Sequence, residues 1–126
     1  MKLYEILVPT VRNNGKPFHL KHHRVWDEKV LAIAGGLTII FPQKGKWVSN
    51  DKKLFAERMI PVRIACTQEQ IQIISDLTAK HYEQLAIFFY KVSDEVEVVN
   101  YDPERKYRRK RITIEQNGMF LASKLN

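Results

Sequence analysis

The order of apolar runs and turn signals in this chain predicts an α+β domain of the ferredoxin-like type. Two helices would lie on a mostly antiparallel sheet of four to five strands, in a split βαβ arrangement. Three observations predict it. A strand-like run opens the chain and a helix-period stripe follows; a longer strand-like stretch leads into the best-marked helix; a further apolar run follows that helix. At 126 residues the chain has the size of one domain and can bury a proper core.

Residues 3–8 form the first strand, with Tyr4, Ile6 and Val8 on one face and Leu3, Glu5 and Leu7 on the other. Pro9 ends it, and Asn13-Asn14-Gly15 is turn chemistry. Residues 21–34 read as a helix, because Trp26, Val30, Ile33 and Ala34 make one apolar stripe. Gly35-Gly36 closes it with a residue able to take a left-handed cap. Strands are expected at residues 37–41 and 46–49, then a long one at 55–66. In that long strand Ile60, Val62 and Ile64 share a face opposite Glu57, Met59 and Arg63. Pro61 inside it predicts an edge position or a bulge. Thr67 with Gln70 is a capping box, and Ile71, Ile74, Leu77, Thr78, His81 and Leu85 continue at helical spacing. Residues 86–92 form another strand, with Ile87 and Phe89 on one side and Phe88, Tyr90 and Val92 on the other. Residues 95–101 alternate again and continue that strand or pair with it, and 111–115 is a candidate last strand before the Asn117-Gly118 turn. The expected organisation is a core domain over residues 1–100 and a basic extension over 101–126.

Composition narrows the function classes. The apolar fraction of 44% and charged fraction of 28% are those of an ordinary globular protein. No apolar run approaches the ~20 residues that span a bilayer, so no membrane is expected. Glu5 interrupts the apolar run a secretory leader needs, and a lone cysteine, Cys66, fits a reducing, cytoplasmic setting. Cys66 reads as a small apolar packer.

The formal charge of +7 points to an anionic partner. Its densest source is Arg105, Lys106, Tyr107, Arg108, Arg109, Lys110 and Arg111, six of seven basic. Such a run releases counterions from phosphates, and Arg or Tyr107 can stack on bases, so nucleic acid is the leading partner. The alternatives are a solvated run that aids solubility, or contact with an acidic protein surface, such as a host protein. His22, His23 and Arg24 would add phosphate contacts near a helix start. His19 and His23 stand at i, i+4, but nothing nearby completes a metal set, so no metal or other cofactor is expected.

Gly36-Leu37-Thr38, Gly45-Lys46-Trp47, Glu57 and the helix end Tyr82-Glu83-Gln84-Leu85-Ala86 resemble a group of small uncharacterised bacterial and phage proteins. These share a Gly-Leu-Thr, Gly-x-Trp, Glu pattern. The resemblance covers residues 3–99. It implies a ferredoxin-like domain and supplies no reaction.

If the helices cover one face of the sheet, the other carries Leu3, Glu5, Leu7, Glu57, Met59 and Arg63. That face would pack on a second copy, giving a homodimer, or line a ligand cleft near Trp47, Glu57, Arg58, Arg63 and Tyr82. Glu57 with Arg63 or Arg58 reads as a structural ion pair; a Glu5–Glu57 acid/base pair is the alternative. Trp47 reads as a core or interface anchor, and His81 as a half-buried, hydrogen-bonded histidine. The sequence holds no Gly-rich phosphate loop, no His-Glu-x-x-His, no Cys-x-x-Cys and no Gly-x-Ser-x-Gly. The leading expectation is therefore a non-enzymatic protein binding nucleic acid through its basic segment, with no catalytic residues assigned. The second is a phage or mobile-element accessory protein that captures a nucleotide-like ligand or blocks a host defence factor. The weakest is a cofactor-free enzyme using the same cleft.

Overall fold

The structure, a computed structural model, describes residues 1–104 and the backbone of a strand at 109–112. Its elements run β1 (Lys2–Pro9), α1 (Leu20–Ala34), β2 (Thr38–Ile39), β3 (Gln43–Val48), β4 (Leu54–Cys66), α2 (Gln68–His81), β5 (Phe89–Ser93), β6 (Val98–Tyr101) and β7 (Arg109–Ile112). The main sheet has the order β2-β4-β1-β5, with β3 also on β4. Every pairing is antiparallel. The fold is α+β and ferredoxin-like, as the element order predicts.

One sheet face is dry because the alternating side chains of β1 and β4 meet the helices there. Tyr4, Ile6, Val8, Val62, Ile64 and Cys66 are buried with Trp26, Val30 and Ala34 of α1 and Ile71 and Ile74 of α2. The helices run antiparallel and are tied along their length. Gln70 donates its side-chain amide to the carbonyl of Ile33, at 3.0 Å. Midway, Trp26 Nε1 donates to Thr78 Oγ1 at 2.9 Å, and that hydroxyl donates to the carbonyl of Ile74. The indole is thus buried without an orphaned donor. The capping box at Thr67 forms in both directions. Gly35 takes φ 80° and donates to Leu31 O, which ends α1. Burial pushes the Cys66 thiol up to about 12, the state of an inert packing residue.

Several sequence expectations shift. Pro61 sits on neither an edge strand nor a bulge, for β4 pairs with β1 in unbroken register through Leu7↔Pro61. Its carbonyl accepts from Ile40 N at 2.9 Å. The nitrogen of an extended residue points to the same side as its carbonyl. The missing N–H therefore faces the gap where β2 gives way to β3, so little is lost. The strand expected from Ala86 begins at Phe89, because Glu83 turns the chain out of α2 at φ 54° and Leu85 lies wholly exposed. The strand expected over 37–41 shortens to Thr38–Ile39. Residues 95–101 do not extend β5. Their strand part, β6, pairs with β7 in a separate two-stranded sheet. The 113–115 part of the expected last strand and the Asn117-Gly118 turn lie outside the described residues. Among the described residues no helix is long and apolar enough to cross a membrane.

Candidate functional site

The helix-free face of the sheet carries a row of polar groups across three strands. Register sets Glu5 of β1 opposite Arg63 of β4 on one side and Tyr90 of β5 on the other. Arg63 Nε donates to Glu5 Oε1 at 3.0 Å, and the Tyr90 hydroxyl donates to Glu5 Oε2. Glu5 is only 6% exposed although no helix covers it; its neighbours and its two donors enclose it. The hydrogen bond to Glu5 raises the Tyr90 hydroxyl above its ordinary range and keeps its proton in place. Phe88, Tyr90 and Val92 remain exposed on this face.

This row corrects the expected ion pair, since Arg63 is paired with Glu5 and not with Glu57. Glu57 lies six positions along β4 from Arg63, roughly 20 Å at strand rise, so Glu5 and Glu57 form no acid/base pair.

Beyond the end of β1, β3 and the first half of β4 project as a two-stranded arm whose β3 residues are all exposed. Directly opposite pairs share a face, so Trp47/Phe55, Gly45/Glu57 and Gln43/Met59 continue the open face of the sheet. The rings of Trp47 and Phe55 stack at 4.5 Å and 15°. Trp47 is 49% exposed, so within this chain it is no core residue. The next pair places the Glu57 carboxylate opposite Gly45, where a Cβ would meet only the Glu57 carbonyl, at 3.9 Å. Nothing in the chain requires glycine there, and its bare backbone leaves room beside the carboxylate. Glu57 makes no ion pair or side-chain hydrogen bond among the described residues. On the arm's other face Lys44 opposes Arg58. With Ala56 and Glu57 they line an open depression of about 430 Å³. Thr10 anchors the arm's root by donating Oγ1 to the carbonyl of Arg58 at 2.9 Å.

Trp47 and Glu57 therefore share one face of the arm and Arg58 lies on the other, while Arg63 belongs to the row nearer the middle of the sheet. Tyr82 is not part of either group. It is 1% exposed under the helices, and its hydroxyl is hydrogen-bonded to His23 Nδ1 at 2.7 Å. His22 and His23 also point inward. His22 Nε2 donates to the carbonyl of His81 and His81 Nε2 donates to that of His22, each at 2.7 Å, with the rings stacked at 3.9 Å. Burial, then the neighbouring His22 and His81, hold His23 below the ordinary imidazole range; burial does the same for His81. These inward rings are poorly placed as phosphate contacts, and only Arg24 of the trio His22, His23 and Arg24 is exposed. His81 is the half-buried, bonded histidine the sequence predicts. Among the described residues no three His, Cys, Asp or Glu side chains are placed to hold a metal ion. Arg105, Lys106, Tyr107 and Arg108 lie outside the described residues, and Arg109, Lys110 and Arg111 are described as the backbone of β7 alone.

No protein-family model matches the chain, and no curated protein matches it by sequence. Solved structures do match. The CutA divalent cation tolerance protein of Archaeoglobus fulgidus is 14% identical, with TM-score 0.57 over 77% of this chain and 86% of its own. A CutA1 mutant from Pyrococcus horikoshii is 6% identical, with TM-score 0.54 over 76% and 86%. A phage SAM lyase in complex with S-methyl-5'-thioadenosine is 12% identical, with TM-score 0.53 over 88% of each chain. At these identities the likeness is one of fold, and the ferredoxin-like architecture is common to all of them.

Proposed function

We propose that the protein binds a sulfonium nucleoside of the S-adenosylmethionine type on its projecting arm, in an assembly with a second copy of itself. The observation that carries the reading is a carboxylate, Glu57, unpaired among the described residues, set beside two stacked aromatic rings and opposite a glycine. A flat base needs an aromatic face, and a cation needs a carboxylate or the electron-rich face of a ring. Both are offered here within two strand positions. The phage lyase that matches along 88% of each chain was solved with the thioether nucleoside that corresponds to such a ligand without its sulfonium charge. The second copy is supported by exposed Phe41, Trp47, Val48, Leu54 and Phe55 on or beside an arm that a lone two-stranded ribbon would hold only weakly.

Thermal shift with S-adenosylmethionine and with S-methyl-5'-thioadenosine tests this, with light scattering for the assembly. Both ligands should raise the melting temperature, since ~100-fold excess over Kd stabilises by about 2.7 kcal/mol. Glu57→Gln should lose most of the response to the sulfonium ligand and keep that to the neutral thioether. No shift with either ligand would sink the reading, and chromatographic appearance of the thioether from the sulfonium would extend it to catalysis.

Nucleic acid held by Arg105 to Arg111 is the second reading, supported by the density of charge in that segment. Its mark is an affinity for oligonucleotides that falls steeply with salt. A flat response between low and moderate salt would remove it.

A further inference from the structure

Three of the four histidines meet at one end of the helix pair. The reciprocal bonds of His22 and His81 require Nε2–H on both rings, because a carbonyl only accepts. His23 Nδ1 shares a hydrogen bond with the Tyr82 hydroxyl, and accepts it when that nitrogen is bare. Phe18 lies against the cluster, stacked on His22 at 5.0 Å and edge-on to Tyr82 at 4.9 Å. From there the contacts lead to the arm. Phe18 N donates to the carbonyl of Thr10 at 3.1 Å, and Thr10 Oγ1 donates to that of Arg58. Asn13 adds a bond from its amide to the carbonyl of Glu83, at 3.1 Å.

We propose that this cluster is a proton-operated latch. With its rings neutral it clamps the start of α1, the loop at 10–19 and the end of α2 together; proton uptake opens the clamp and slackens the root of the β3–β4 arm.

Each protonation acts on a contact already described. A proton on His23 Nδ1 reverses that bond: the Tyr82 oxygen must accept, and the phenol's own proton, held tightly by burial, loses its acceptor inside the cluster. A charge on His81 lies 3.9 Å from the His22 ring, and a charge on both rings sets like charges face to face. The surroundings do little to offset this. Arg12 sits over Phe18 at 4.7 Å, and Lys29 of α1 bears on His81 as a further cation. Lys80 stands in the last turn of α2. The carboxylates at this end are Glu83, which lies 3.8 Å from Arg12, and Asp27, whose carboxyl burial holds above its ordinary range. The sign follows. His23 and His81 bind protons less readily in the closed state than in an open chain. Stability is therefore full above the ordinary imidazole pKa of about 6.5 and falls as pH drops below it.

The latch stands apart from the ligand reading, and its test uses no ligand. In the intact chain, histidine ring resonances followed by NMR from pH 8 to 4.5 should show His23 and His81 titrating below free imidazole. Hydrogen exchange at pH 5.5, corrected for intrinsic rates, should show residues 10–23 and 78–84 losing protection ahead of β1 and β4. The melting temperature should drop by about 5 °C from pH 7.5 to 5.5. In His23→Gln/His81→Gln that drop should shrink by at least half. Titration of both rings at or above the free value, uniform loss of protection at pH 5.5, or an unchanged drop in the variant would each overturn the proposal. Should the variant not fold, the first two measurements on the native chain decide.

Discussion

Replacing Arg63 by Met, which keeps the aliphatic stem and removes the guanidinium, strands the Glu5 carboxylate with a single donor. The carboxylate side chain is 8% exposed and that of its partner 45%. Removing one partner of a fully buried pair costs about 3–5 kcal/mol. Arg63 is nearly half open to water, which can take its place in part, and Tyr90 stays bonded, so the cost here is about 2 kcal/mol. For a chain of this length that is roughly 8 °C in melting temperature. Urea unfolding at fixed protein concentration measures it, with an unchanged m-value showing that the same surface is exposed. The companion variant Glu5→Leu/Arg63→Met removes both charges and should recover more than half of the loss. A loss under about 0.5 kcal/mol for Arg63→Met would mean that water reaches Glu5, and would refute the enclosed row across β4, β1 and β5.

Three further outcomes follow from the same structure. A Cβ at Gly45 meets no clash on an exposed strand, so Gly45→Leu should keep urea stability within about 0.5 kcal/mol while nucleoside binding is lost; equal binding would move the ligand off this face of the arm. Thr67→Ala breaks the capping box and should cost about 1 kcal/mol by the same assay. Cys66 should resist a thiol reagent at pH 8 in the folded chain and react in full in urea, because burial keeps its thiol protonated; rapid labelling of the native protein would contradict its buried place.

The fold was legible wherever a local period dictates burial. The stripe of Trp26, Val30 and Ala34, the alternation of Tyr4, Ile6 and Val8, and the Thr67–Gln70 box each define an element and its inward face. The open face was legible by parity alone, since Glu5, Arg63 and Tyr90 all alternate away from core residues. Which of them touch was not, because a strand pattern carries no register between strands distant in sequence, and Glu57 shares the parity of Arg63. The histidine cluster was half legible. The spacing of α2 sets His81 on its inner stripe, but the partner across 59 positions depends on how two helices dock. The sequence places Tyr82 near the open cleft, because a residue at the end of a helix carries no signal that its ring turns under α1.

Pro61 has a mechanical consequence. On the side of β4 that faces β2 and β3, the cross-strand ladder lacks a donor at the point where one neighbour ends and the next begins. Torsion of the arm against the body breaks less there, since that rung holds a single bond, from Ile40 N to the Pro61 carbonyl, instead of a pair. An imino acid in mid-strand thus serves as a joint, letting a stiff core carry a limb whose angle can adjust to whatever it grips.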